Sequence, residues 1–176
     1  MTYEPTEIAL REEFASSDAM VQGARVAVVG HLRGSGNGRS LLLFGHPDAE
    51  DPSNPPPGAG PESWSREPFE TSVSQGRMYG WGIADDLMGV AAGVCAIEAV
   101  TRRATALGGD VFMASTPSKF HARGATAVLQ RVDFGSRGLD AAVYLHPAES
   151  GAGLEEIKAL SCGQLLFRLE VLIADC

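Results

Sequence analysis

Three places in the chain carry side chains of the metal-binding type. His46 and Asp48 flank Pro47 directly after the apolar run 40–45, at the C-terminal end of an expected strand, where open α/β sheets gather their ligands. Neutral imidazole is a good zinc ligand, and a carboxylate two residues away can hold its other ring nitrogen and fix the tautomer. The plainer alternative is a loop histidine beside a turn aspartate. Asp85 follows the glycine-containing passage 79–84, which lets backbone approach a metal closely, and one carboxylate can bridge two cations about 3.5–4 Å apart. Capping the helix that follows is an equally good use of Asp85 or Asp86, with a stabilisation of about 1 kcal/mol. His146 ends the apolar run 141–145, with Glu149 within reach, and by itself also reads as a hydrogen-bonded surface histidine. Three such sites, each next to an expected strand, favour a shared metal centre more than any one of them does alone.

The elements that must position these groups can be read from apolar periodicity. Residues 25–32 and 40–45 are short, β-branched or leucine-rich runs expected as strands, and Gly34, Gly36 and Gly38 between them predict a hairpin turn. The G-S-G-N-G spacing lacks the lysine and the following helix of a phosphate loop. Residues 47–68 are rich in Pro, Gly, Ser and acidic side chains, a composition that predicts one long surface loop, pinned near its end by Trp64 and Phe69. Residues 76–82 predict a short strand, and 87–107 a helix with Val90, Val94, Ile97 and Val100 on one face. A strand over 111–114, a helix over 123–132 and a strand over 141–145 follow, then a long strand over 158–173 with an edge that something should cover. The alternation of strand and helix predicts an α/β layered domain with a mostly parallel sheet.

Composition narrows the function classes. A chain of 176 residues suits one globular domain, and chains of this size bury about 70% of their unfolded surface. A formal charge of −8 argues against a phosphate-tracking nucleic-acid surface and against an anionic membrane. Cys95, Cys162 and Cys176 show no CxxC spacing, so neither a disulfide framework nor a zinc knuckle is expected, and a reducing cytoplasm is the simplest home. The first residues are acidic rather than basic-then-apolar, unlike a secretory signal. Nowhere do about 18 apolar residues run together as a membrane span would require.

The runs L-L-L-F-G-H-P-D (41–48), W-x-x-x-P-F (64–69), G-R-M-Y-G-W-G-I-A-D-D (76–86) and L-D-A-A-V-Y-L-H-P-A-E (139–149) resemble the dinuclear zinc family of acetylornithine deacetylase, succinyl-diaminopimelate desuccinylase, aminoacylase and carboxypeptidase G. The resemblance covers nearly the whole chain. It implies a three-layer, zinc-exopeptidase-like α/β domain, present here as a single partial catalytic domain over 1–176, without the dimerisation domain or the C-terminal part. It also implies that His46 binds one metal, Asp48 orients His46 as a catalytic residue, Asp85 bridges two metals and His146 is a further ligand of the first. Glu149 lies beside that motif as a weaker candidate. Zinc is the implied cofactor, with cobalt or manganese as alternatives of similar ligand taste. Small N-acyl amino acids or peptides are the implied substrates, and a homodimer is implied for a full-length parent.

One departure bears on activity. The family carries two consecutive glutamates before the position of Gly124, a general base and a ligand of the second metal, where this sequence has Ser118 and Lys119. Serine is no base without help, and a lysine cation repels Zn²⁺. His121 in the same stretch is a candidate substitute as ligand or base. The expectation is a metal-dependent hydrolase of amide bonds, impaired in this chain; the alternative is a non-catalytic relative that binds a metal or ligand. A nucleotide-binding domain ranks last, for want of a glycine fingerprint at the first strand-to-helix turn.

Overall fold

A computed structural model of the chain describes residues 1–4, 8, 24–49, 52, 58, 60–103, 106–117, 123–146 and 159. Strands β1 (Thr2–Tyr3) and β2 (Arg25–Val26) form a small antiparallel pair. The main sheet contains β3 (Val28–Leu32), β4 (Leu41–Gly45), β7 (Val111–Ser115) and β8 (Ala141–Tyr144), in the order β3-β7-β4-β8. Strands β7, β4 and β8 are mutually parallel, and only β3 runs against its neighbour, so the sheet is mostly parallel as expected. Between β4 and β7 lie the hairpin strands β5 (Ser72–Ser74) and β6 (Arg77–Tyr79) and helix α1 (Met88–Arg102); α2 (Arg123–Arg131) leads from β7 to β8.

Side chains alternate across a strand, and that alternation sorts the helices onto two faces. Leu42, Phe112 and Ala114 pack with Ala127 and Val128 of α2, a core that also takes in Ala27 and Ile8. On the opposite face a Cβ placed on Gly93 of α1 would lie 2.6 Å from both Met113 Sδ and Leu145 Cδ1, so α1 approaches the sheet closely through its glycines. Helix, sheet and helix make three layers. Among the described residues, no helix is long and apolar enough to cross a membrane.

Three local expectations change. β3 and β4 are not hairpin partners, because β7 inserts between them: β3 pairs antiparallel to β7 on one side and β4 parallel to it on the other. Of the glycines expected to form a turn, Gly36 bends the chain at φ 88°, while Gly34 and Gly38 serve a close backbone approach instead. Gly38 N–H donates to the Gly108 carbonyl at 2.6 Å and Ser35 N–H to that of Leu107 at 2.8 Å, and a Cβ on Gly38 would lie 2.5 Å from Gly109 N. The same contact explains the early end of α1 at Arg102, since Leu107 and Gly108 are committed to this loop rather than to another helical turn. Finally, the strand expected over 76–82 is one arm of a hairpin whose turn is Gln75 and Gly76, at φ 51° and 73°, the left-handed pair that two-residue hairpin loops require.

Of the long loop 47–68, the described part contains a single 3-10 turn (Pro61–Ser63), and its end is held by aromatic contacts. Trp64 and Phe69 lie 5.7 and 5.8 Å, centroid to centroid, from Trp81, which bears out their anchoring role. The long strand expected over 158–173 falls outside the described residues.

Two carboxylates tie the entrances of the strands together. Asp110 accepts from Gly34 N–H at 2.8 Å and meets His31 Nε2 at 3.0 Å, while Asp140 accepts from Ser40 N–H at 2.7 Å and from its hydroxyl at 3.1 Å. In both cases the backbone hydrogen bond is the main cause holding the carboxyl below its ordinary value of 3.8. A depressed folded value stabilises the fold above the unfolded pKa, and the contribution is lost as pH falls through the folded one. The Asp110→Asn/Asp140→Asn variant should therefore show a shallower acid limb below pH 3.8 in chemical-denaturation midpoints than the parent chain; parallel limbs would contradict the tether.

Candidate metal centre

The register of the parallel strands β4 and β8 is the first determinant of the site. Leu41 pairs with Ala141 and Phe44 with Tyr144, and the ladder continues as Leu145 N–H donates to the Phe44 carbonyl at 2.8 Å. Equivalent positions just beyond the two strand ends are therefore neighbours, and these are His46 and His146. Their ring centroids lie 6.5 Å apart, with Tyr144 beside both at 6.1 and 5.3 Å.

Asp85 reaches the same place from the other direction. The chain leaves β6 through Gly80 and Gly82, the latter at φ 71°, and enters the turn Ile83–Leu87, where Asp85 and Asp86 have non-helical backbone angles and are joined by a cis peptide bond. Asp85 Oδ1 lies 3.0 Å from His46 Nε2 and 3.2 Å from His146 Nε2. Two imidazoles and one carboxylate, separated by 39 to 100 residues along the chain, thus meet on a single oxygen.

The hydrogen-bonding of His46 decides what this contact means chemically. Its Nδ1 lies 2.8 Å from the main-chain carbonyl oxygen of Asp48, which can only accept, so Nδ1 carries the hydrogen. In a neutral ring Nε2 then presents a lone pair, and the atom 3.0 Å in front of it is a carboxylate oxygen that also carries lone pairs. Such a contact requires positive charge between the partners, either a second proton on the imidazole or a metal ion. Asp48 faces the ring with two groups: its main-chain carbonyl is the nearer, and its carboxylate Oδ1 stands 3.8 Å from the same nitrogen. With Pro47 between them, the short turn brings the backbone oxygen to the ring first.

The donor set suits zinc. Ligands about 2.0–2.2 Å from a tetrahedral zinc stand roughly 3.3–3.5 Å from one another, so separations of 3.0 and 3.2 Å need to open by only a few tenths of an ångström. Among the described residues no group of three or more His, Cys, Asp or Glu side chains is arranged, as it stands, to hold a metal ion; His46, Asp85 and His146 meet in direct contact around one oxygen instead.

Asp86, offered by the sequence only as an alternative helix cap, has a different place. Helix α1 has no side-chain cap hydrogen bond, and the Asp86 side chain is fully buried. Its Oδ2 accepts from the main-chain N–H of His46 at 3.1 Å, while its Oδ1 has no hydrogen-bond partner among the described residues. Burial pushes this carboxyl above its usual value, opposed by the His46 hydrogen bond. Room for the carboxylate comes from two glycines: a Cβ on Gly45 would lie 2.8 Å from Asp86 Oδ2, and one on Gly89 would overlap Asp86 Oδ1 and the Leu145 carbonyl. Thr116 completes the support by donating its N–H and hydroxyl to the Gly45 carbonyl at 2.8 and 3.1 Å. Ser118, Lys119, His121 and Glu149 lie outside the described residues.

Residues 55–163, more than half of the chain, match the profile of peptidase family M20/M25/M40. The chain belongs to this family. Its members share an α/β fold and generally depend on a metal, most often zinc. Over 75 residues the chain is 40% identical to the succinyl-diaminopimelate desuccinylase of Paracidovorax citrulli (strain AAC00-1), a match covering 43% of this chain and 17% of that relative. The chain thus aligns with under a fifth of that relative's length.

The glycine cradle gives a direct test. Gly45→Ala and Gly89→Ala should each cost about 1–3 kcal/mol of stability in urea unfolding, the usual penalty of overpacking, whereas Gly30→Ala, where an added Cβ meets only the Met113 carbonyl at 3.9 Å and φ is not positive, should cost less. Equal losses at all three positions would remove the cradle from the account.

Proposed function

We propose that the chain holds one divalent cation, zinc foremost with cobalt and manganese as alternatives, between His46 Nε2, His146 Nε2 and the Asp85 carboxylate, in the service of amide-bond hydrolysis. The observation that carries the proposal is the convergence of two imidazole nitrogens on one carboxylate oxygen at 3.0 and 3.2 Å, with the His46 proton held on the far side of its ring. A cation there supplies Lewis acidity, polarising an amide carbonyl and making water more acidic. The residues of this chain bind and orient. The Asp48 carbonyl keeps the hydrogen on Nδ1 so that Nε2 is the ligating atom, and the Asp86 carboxylate fixes the His46 backbone. The second oxygen of Asp85 is the group that family likeness gives to a second cation.

The substrates proposed are N-acyl amino acids or small peptides, and the likeness to a desuccinylase favours N-succinyl among the acyl groups. Turnover by this chain should be weak, because Ser118 and Lys119 stand where the family has its glutamate base and glutamate ligand. The same two residues support a second reading, a metal-binding relative without catalysis.

Metal analysis of the purified chain should find about one zinc. His46→Ala and His146→Ala should each weaken zinc binding by about tenfold or more, as loss of a ligand or its support does. Unchanged zinc affinity in both variants would leave a protonated imidazole as the answer to the His46–Asp85 contact and sink the metal reading. N-acetyl and N-succinyl amino acids assayed with added Zn²⁺ or Co²⁺ should be hydrolysed slowly or not at all; rapid turnover would remove the impairment and, with it, the non-catalytic alternative.

A further inference from the structure

A cavity of about 590 Å³ opens beside the candidate metal centre, and both loops of that centre contribute to its wall, one through Ala49 and the other through Asp85. That volume fits a small organic group. Its lining is rich in rings: Trp64, Tyr79 and Trp81. The two indoles meet at 5.7 Å with their planes tilted by 35°, and Phe69 packs on Trp81 from 5.8 Å at 41°. The rings thus hold one another in fixed orientations and present faces and edges together, the arrangement in which aromatic side chains attract a further ring. Arg66, also in the lining, holds its guanidinium 4.2 Å from the Tyr79 ring centroid. A planar cation held in this way is one more flat surface on which a ring can stack.

We infer that this cavity receives the aromatic side chain of an N-acyl amino acid, with Trp64 and Trp81 as the residues that select it. The inference rests on the amide-hydrolase reading above and narrows its substrate class. Asp85 belongs both to the candidate centre and to the cavity wall, so a substrate held by its amide at the centre places a neighbouring group in the cavity. A short acyl chain has no flat face to offer these walls, which assigns the ring to the amino-acid half. A saturated ring of equal size buries the same apolar area but lacks the quadrupole, and so forfeits the ring–ring part of the attraction.

Trp64 and Trp81 are the only tryptophans in the chain, so indole emission, excited where phenyl rings do not absorb, reports on this cavity without turnover. The probes are N-acetylphenylalanine and N-acetylcyclohexylalanine, alike in acyl group, charge and size and different in the aromaticity of the ring. Titrated into the zinc-loaded full chain, both should change the emission saturably, and the aromatic probe should bind about three- to tenfold more tightly, the scale of a ring–ring contact beyond its buried area. Trp64→Leu, read through Trp81, should bring the two affinities within about twofold of each other, and Trp64→Phe should keep most of the preference. Equal affinities in the parent chain, no saturable response to either probe, or a preference undiminished in Trp64→Leu would overturn the assignment. Tighter binding of N-benzoylglycine than of N-acetylphenylalanine would also overturn it, by moving the ring to the acyl half. The comparison in the parent chain decides even where a Trp64 variant fails to fold. Zinc content measured on the same samples separates the two proposals. A ring preference in a chain that takes up no zinc counts against the metal centre alone, and zinc uptake without the preference counts against the cavity alone.

Discussion

Two parallel strands held in register, with partners one hundred residues apart in the chain, set His46 and His146 side by side. Parallel strands stand about 4.8 Å apart, and side chains at equivalent positions share that spacing. A shift of one residue in the β4–β8 ladder would turn one imidazole to the opposite face. The candidate centre is thus a consequence of sheet register before it is a consequence of any loop. What the loop adds is a carboxylate: the turn Ile83–Leu87 delivers Asp85 Oδ1 into contact with both ring nitrogens.

The layer around this contact is built to leave little freedom. Asp86 is buried at a cost, and its carboxylate is kept in place by the His46 N–H and by the absence of side chains at Gly45 and Gly89. Gly89 and Gly93 lie one turn apart on α1 and bring that helix close to Leu145 and Met113. The same helical face therefore serves core packing and the support of His46, so packing and site geometry cannot be altered separately there. On the outer side, Trp81 links the two motifs. It is clasped by Trp64 and Phe69 from the end of the long loop, and it stands a few residues before Asp85 in the chain, so the loop's anchorage and the aromatic wall of the cavity are one structure.

Much of this was legible from residue types. The apolar runs marked β4, β7 and β8 to within a residue or so, and α1 and α2 by their period, because burial on both faces and helical amphipathicity leave direct traces in composition. The layered α/β class followed from their alternation. The pairing of strands did not. Glycines 34, 36 and 38 have the composition of a tight turn, but Gly34 and Gly38 permit a close approach to Gly108 and Gly109 and only Gly36 has a positive φ, and a glycine alone does not say which of the two it is needed for. The strand Ser72–Ser74 is polar and short and so carries no apolar signal, and Gly76, within the stretch expected as strand, forms the hairpin turn.

The sequence by itself determined the chemical inventory: which imidazoles and carboxylates stand beside strand ends, and the motif spacing that marks the peptidase family. These are properties of local order, fixed by neighbours along the chain. Only the tertiary structure decided that His46 and His146 meet on one oxygen of Asp85, that the carbonyl of Asp48 lies against the His46 ring, and that Asp86 is buried under His46 rather than capping a helix. Each of those depends on strand register or on backbone approach between segments distant in sequence, and such contacts are settled by the packing of the whole sheet and its helices rather than by any residue's own preference.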